Sequence, residues 1–309
     1  MFISRIIFQL FPSEVFISLR RIYRTILETW YAPLSEQEFR KIITKKLGFS
    51  KGSIVFIHSS VDNLNIKFDA LRLLEILLET VGEEGTLIFP CWHFTCRAED
   101  YLKSGKVFDV RRSPSALGML SEMARRYPGA KRSRHPINSI VAIGKNAEAI
   151  VGLHHTDIYP CGEKSPYYLA KQMGGIIAGI GVNANFMSFV HCPEDVIKQQ
   201  FPIKTRLDQV FEAEVKKDDG TVEIVRTLAA HPQIKNNNIN DFLKKYIPKS
   251  ISRNITISGN RFFITHTKEL FDSMIELSKE NKTIYTKKAL IKNSTIPIVT
   301  SKWNQSEVT

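Results

Sequence analysis

The stretch GGIIAGIGVNANFMSFVHCPEDVIKQQ, residues 174–200, decides how the rest of the chain is read. It opens on a short apolar run flanked by glycines, the pattern of a buried strand. It turns at Val182-Asn183-Ala184-Asn185 and enters an amphipathic segment carrying His191 and Glu194. An imidazole and a carboxylate three apart on a helix share one face. The carboxylate can then orient the ring and hold its charge when it takes a proton. A strand end followed by a helix start is also where open α/β sheets place their ligands. Pro193 lies between the two residues, so the helix is expected to begin near Cys192 or to kink there.

Upstream, residues 53–58 (SIVFIH) are continuously apolar and β-branched, and run into Ser59-Ser60-Val61. Residues 69–81 carry leucines at helical spacing, and 85–91 (GTLIFPC) read as the next buried strand. Strand, helix, strand predicts a right-handed parallel crossover. Ser35, with Glu36 and Glu38 behind it, marks a helix start over 35–48. Ser113 and Pro114 predict a helix over 114–127. A loop at 132–136, a strand at 139–144 and helices at 146–154 and 165–173 precede the central strand. Beyond Lys204, residues 210–216 and 221–227 flank Lys217-Asp218-Asp219-Gly220, a hairpin signature. Residues 233–250 are polar and read as a surface connection, 262–278 as a last strand and helix, and the tail from 293 as loose.

The chain has 309 residues, 43% of them hydrophobic and 24% charged, as in ordinary globular proteins. No apolar run reaches about 18 residues, so no spanning helix is expected. The apolar N-terminus is broken by Arg5, Gln9, Pro12 and Glu14 and lacks a small-residue cleavage site. Without export, the cytoplasm is the expected compartment. Cys91, Cys96, Cys161 and Cys192 form no disulfide framework and are expected free. The net charge of +12 favours anionic partners. The lysines are scattered, with no aromatic-interleaved basic block, so no nucleic-acid partner is expected. Residues 1–35 read as an amphipathic helical arm with Arg20, Arg21 and Arg24 on its polar side. Packing on the body or on another subunit is favoured over membrane-surface contact, because Pro12 splits the moment. A homo-oligomer is compatible with that packing.

Other constellations are weaker. Gly179-Ile-Gly181-Val-Asn-Ala184 matches a dinucleotide fingerprint but lacks the acid about 20 residues on. Tight turns at a crowded strand end explain it better. Cys91, His93 and Cys96 offer three soft ligands, but no complementary pair stands near them, so no metal is expected. Cys192 beside His191 would point about 100° away from it and cannot form a dyad with it. Neither a Walker loop nor a GxSxG elbow occurs. Small hydroxyl residues collect instead at strand-to-loop junctions, where backbone N–H groups bind phosphate: 58–60, 113–117 and 165–166. Arg111 and Arg112 beside Ser113 suit a pyrophosphate.

Six pieces, in order, resemble the aminoglycoside 3-N-acetyltransferase family: GSIVFIHSSV (52–61), GTLIFP (85–90), FDVRRSPSALGMLSE (108–122), RSRHPINSIVAIG (132–144), CGEKSPYYLA (161–170) and NFMSFVHCPE (185–194). The resemblance spans roughly residues 40–280. It implies a three-layer α/β/α fold with a mixed, largely parallel sheet and a smaller antiparallel hairpin element. On that reading 1–35 is the arm, 36–204 the acyl-CoA-binding catalytic core, 205–292 the hairpin and closing strand and helix, and 293–309 the tail. It implies an acyl-CoA donor, an amino-sugar acceptor and no metal. His191 matches the catalytic histidine, Glu194 the acid that orients it, and Ser188 the position of a threonine that helps the thioester oxygen. His58, Ser59 and Ser60, with Ser113 and Ser115, match segments lining the CoA, and Val61, Leu117 and Arg132 are expected beside them. Trp92, His93, Glu163 and Asn185 are expected on the acceptor side. Asn138 stands where many members carry a second histidine.

The chemistry expected is direct attack. An imidazole titrates near about pH 6.5, so it can take the proton that a sugar ammonium must lose. Aminoglycosides are polycations, and a chain of +12 attracts them poorly. Charge therefore favours transfer of an acetyl or short hydroxyacyl group to a dTDP- or UDP-linked deoxyamino sugar, as in surface-polysaccharide synthesis. Aminoglycoside acetylation is the alternative. A basic nucleic-acid-binding or membrane-surface module is the alternative from outside enzymes.

Overall fold

The computed structural model describes residues 25, 29–235 and 237–285. Most of the N-terminal arm and the whole tail from 293 lie outside them. Helix α1 (Glu36–Lys41) starts where the capping pattern predicts: the Ser35 hydroxyl accepts from the Glu38 amide and the Glu38 carboxylate from the Ser35 amide. Strand β1 (Ile54–Ser59) crosses through α2 (Ala70–Val81), capped by Asp69, to a parallel β2 (Thr86–Pro90). A long excursion follows through α3 (Ala98–Lys103), β3 (Phe108–Asp109), α4 (Met119–Arg126) and β4 (Lys131–Arg132). The chain returns as β5 (Ile140–Gly144), then α5 (Ala147–Val151) and α6 (Pro166–Gln172), into β6 (Ile176–Ile180). Helix α7 (His191–Ile197), the hairpin β7 (Arg206–Lys216) and β8 (Val222–Ala230), and α8 (Ile239–Tyr246) come next. A second hairpin, β9 (Ser252–Ile257) and β10 (Asn260–His266), leads into α9 (Thr267–Lys279).

The main sheet has seven strands in the order β4-β5-β2-β1-β6-β10-β9, and β3-β7-β8 form a smaller sheet. The main sheet is mixed, as expected, but parallel pairing is confined to its centre, β2-β1-β6. β5 runs antiparallel to β2, and β10 antiparallel to β6. β4–β5 and β9–β10 are antiparallel pairs joined by short returns, whereas the central strands are joined through helices. Alternation along β1 separates the layers. Val55 and Ile57 pack with α1, α2 and α4, while Phe56 packs with α5, α6, α8 and α9. The glycines of the fingerprint-like match answer to crowding. A Cβ on Gly179 would lie 2.0 Å from the Phe263 ring, and one on Gly181, at φ +76°, 2.2 Å from the Ser60 carbonyl oxygen.

Two expected elements differ. The helix foreseen over 114–127 begins only at Met119. The Ser113 hydroxyl accepts from the Asp109 amide, and Asp109 Oδ1 from the Arg111 and Arg112 amides, so local bonds hold the segment in turns. The polar connection over 233–250 contains α8, which buries Ile239, Phe242 and Leu243 and is capped by Asn238. Among the described residues no helix is long and apolar enough to cross a membrane.

Candidate active site

Because β1, β2 and β6 are parallel, their C-terminal ends share one edge of the sheet. The loops at 59–63, 91–97 and 181–190 therefore leave side by side. Segment 113–117 joins them, since the Ala116 amide donates to the Trp92 carbonyl at 2.8 Å. The hydroxyl-rich junctions and the His191 segment, far apart in the sequence, thus meet on one face.

Helix α7 begins at His191 itself, after a 3-10 turn over Ser188–Val190. Pro193 then lies in the first helical turn, where its missing N–H has no intrahelical partner to lose. The helix needs no kink, and the pair keeps its three-residue spacing: His191 Nδ1 stands 3.0 Å from Glu194 Oε2. Glu194 is 1% exposed and the His191 side chain 27%, so the acid is sealed in and the ring reaches the surface. With Nδ1–H donating to the carboxylate, Nε2 carries the lone pair. Among the described residues no hydrogen bond occupies Nε2.

Tyr285 completes the pair from far along the chain. Its hydroxyl donates to the same Glu194 Oε2 at 2.9 Å and lies 3.4 Å from His191 Nδ1. Sequence reading missed it, because nothing local marks a lone tyrosine 91 residues from the acid it meets. Next along α7, Asp195 is fully buried and accepts the Arg206 guanidinium through both oxygens, at 2.7 and 2.6 Å, and the Cys161 amide at 2.8 Å. This pairing fastens β7 and the turn before α6 to α7. A cleft opens beside it, lined by Glu194, Tyr159, Lys198, Lys204, Arg206 and Asp208.

The remaining expected residues fall into distinct settings. Ser188 stands one turn before His191 and donates to the buried Tyr167 hydroxyl at 3.2 Å. To serve an oxyanion its proton must turn away from Tyr167. His58 is buried between the Phe56 and Phe263 rings with Nε2 unpartnered, and burial pushes its pKa down to about 3. Ser59 closes β1, and Ser60 and Val61 begin the loop behind it, with the Ser60 amide on the Ile180 carbonyl. The Ser115 amide donates to Glu122 and its hydroxyl accepts from Leu117. Arg132 does not reach outward: its guanidinium donates to the carbonyls of Val110, Ser113 and Cys91 and to Ser139, and lies over the Phe108 ring. It staples the 110–113 turn to the end of β2. His93 stacks on Phe108 with both ring nitrogens buried and unpartnered, and burial, then Arg132, lowers its pKa to about 4. Trp92 contributes its carbonyl as above. Glu163 is exposed in the turn before α6. Asn185 gives its side-chain oxygen to the Asn240 amide and so holds α8. Asn138, half-buried, donates to the Cys161 sulfur at 3.3 Å. Cys91 is buried and Cys96 exposed, and among the described residues no cluster of three or more His, Cys, Asp or Glu is placed to hold a metal ion.

An acid-oriented imidazole, with Nε2 open among the described residues and set at the C-terminal edge of the parallel strands, is a candidate general-base site. The family model for aminoglycoside 3-N-acetyltransferase matches residues 56–279, and the chain belongs to that family. It is 29% identical over 160 residues to the SPbeta prophage-derived aminoglycoside N(3')-acetyltransferase-like protein YokD of Bacillus subtilis strain 168, a match covering 46% of this chain and 58% of that one. It is 28% identical over 174 residues to aminoglycoside N(3)-acetyltransferase III of a Salmonella species, covering 51% and 60%. The matches thus span somewhat under two thirds of these curated relatives. The fold is shared more widely. Aminoglycoside acetyltransferase AAC(3)-Xa superposes with a TM-score of 0.71 at 20% identity, over 85% of this chain and 99% of that one. AAC-IIIb, solved as a binary complex with CoASH, superposes at 0.67 and 17% identity, over 82% and 100%.

These findings overturn the expected nucleotide-linked acceptor and its surface-polysaccharide setting. The family and both curated relatives are named for aminoglycosides. The expectation rested on a net charge of +12, which sums the whole surface, whereas an acceptor responds to the groups lining its own pocket.

Proposed function

We propose that this chain transfers an acetyl group from acetyl-CoA to a ring amine of an aminoglycoside, with His191 as general base. The observation that carries the reading is the His191–Glu194 pair, 3.0 Å apart and open at Nε2, in a member of this family. A sugar ammonium cannot attack until it loses a proton, and Nε2 is the free acceptor for it. As the amine nitrogen bonds to the thioester carbon and the C–S bond breaks, the imidazolium gives its proton to the departing CoA thiolate, and the second proton that the nitrogen sheds in becoming an amide passes to water. The thioester is already activated, so no acyl-enzyme is needed. Glu194 holds the ring's orientation throughout and stabilises the imidazolium between the two transfers. Ser188, one turn away, is the candidate donor to the carbonyl oxygen as it gains charge.

For the CoA, the reading assigns the junctions at 58–61 and 113–117. They converge on the His191 edge, and Arg111 and Arg112 are exposed beside them. Arg132 serves there by shaping the 110–113 turn.

The test is release of free thiol from acetyl-CoA in the presence of gentamicin-type aminoglycosides, with the acetylated product identified by mass spectrometry. His191→Ala is expected to lower kcat at least about a hundredfold, in line with general-base help, while CoA affinity stays as it was. No thiol release with any aminoglycoside, or a mild effect of His191→Ala, would refute the reading.

A further inference from the structure

Glu194 has two hydrogen-bond donors among the described residues: the His191 ring and the Tyr285 hydroxyl, both on Oε2. Its other oxygen, Oε1, is buried and unpartnered. We propose that Tyr285 is a positioning residue for the base: its hydroxyl locks the carboxylate oxygen that His191 uses and tempers the carboxylate's pull on the imidazole, so setting the pH at which the ring accepts protons. The inference rests on His191 being the general base.

The tyrosine is held for this task. It is 6% exposed and packs into the core that contains Phe242 and Met274. A β-bridge ties it to Asn237, and the Asn238 amide donates to the Ile284 carbonyl at 3.0 Å. Burial, then the charge of Glu194, pushes the phenol well above its usual range, so it stays protonated and can act as a donor to the carboxylate. A donor to a carboxylate spreads its charge and weakens its attraction for the imidazolium beside it.

Of the charged groups facing the pair, the buried Arg206 of β7 acts on Glu194 through its charge, and Lys198 and Lys204 line the cleft beside the acid, but among the described residues only the Tyr285 hydroxyl and the His191 ring donate to its carboxylate. Asp195, also on α7, is matched by the bidentate Arg206 of β7. Cys161, from the turn before α6, and Cys192, on α7, are buried thiols pushed well above their usual range, as is the Tyr167 phenol of α6. Burial is the chief cause for all three, and they stay neutral near pH 7.

The experiment follows the His191 ring by NMR in protein labelled with 15N-histidine, without substrate. In Tyr285→Phe, the His191 titration midpoint is expected to rise by about one pH unit, a tenfold change in proton affinity. The acid limb of kcat/KM should move up in parallel, with KM for acetyl-CoA unchanged. Incorporation of 3-fluorotyrosine at position 285 keeps the hydroxyl, strengthens it as a donor, and should move the midpoint down. An unchanged midpoint in both proteins overturns the proposal, and the fluorinated protein decides alone if Tyr285→Phe fails to fold. Because the titration needs no acceptor, a shifted midpoint in a protein that acetylates nothing would refute the proposed function and leave the hydrogen-bond coupling standing.

Discussion

Replacing Glu194 by glutamine removes the charge 3.0 Å from His191 Nδ1 and keeps the side chain's size. A glutamine oxygen can still accept one hydrogen bond, so the ring keeps a partner but loses the anion that stabilises its protonated form. A hydrogen bond to a charged group is worth about 1.5–3 kcal/mol. At roughly 1.4 kcal/mol per decade this is about 10–100-fold in kcat. The site geometry places the loss within that range, because Glu194 is sealed at 1% exposure while the ring at 27% still meets water. The sign of the pH effect follows. Without the carboxylate the imidazolium is less stable, so the acid limb of kcat/KM moves to lower pH, opposite to the shift expected for Tyr285→Phe. The assay is thiol release from acetyl-CoA between about pH 5 and 9, the range over which histidine changes charge, with CoA affinity measured separately by calorimetry. A loss of less than about threefold with an unmoved limb, against the 10–100-fold range above, would show that the acid does not act on the ring.

Three further expectations concern neighbouring groups. Arg206→Leu strands the fully buried Asp195 charge and is expected to cost about 3–5 kcal/mol of stability, read from urea unfolding; a near-neutral result would mean that Asp195 finds water or a proton. Ser188→Ala is expected to lower kcat about a hundredfold if its hydroxyl serves the developing oxyanion, with little change in KM; an unchanged kcat would leave it as a partner of Tyr167 alone. Burial holds His58 and His154 to about 3 and His93 to about 4 in the folded chain. Below about pH 6.5 the unfolded chain gains protons that these rings refuse when folded. The stability they supply is therefore full above that pH and lost as pH falls towards about 3, and Tm should drop between about pH 6.5 and 4.5, before carboxylates dominate. A flat Tm over that interval would contradict the burial of these rings.

The legible parts of the chain were those in which one local pattern decides the outcome. β1 and β2 are continuous apolar runs, the β7–β8 hairpin turns on Asp219-Gly220, and α1, α2 and α6 announce themselves through Ser35, Asp69 and Ser165. His191 and Glu194 were legible because they lie within a single helical turn. Helix α8 was hidden because only Ile239, Phe242 and Leu243 face the core within an otherwise polar stretch. The start of α4 was misplaced because Ser113 has two competing uses, as a helix cap and as an acceptor within a turn, and sequence does not rank them. Tyr285 and the Asp195–Arg206 pair depend on which segments the sheet order brings together, information carried by topology and absent from any short motif. The acceptor was misjudged for a related reason: total charge carries no record of which side chains line a cleft.

The most direct measurement is a crystal structure of the chain with CoA and an aminoglycoside bound together. The account places the acceptor amine within about 3.2 Å of His191 Nε2, the reach of a hydrogen bond to a general base, and on the side facing the sulfur. An imidazole rotated away from the amine, or an amine lying against a different base, would contradict it.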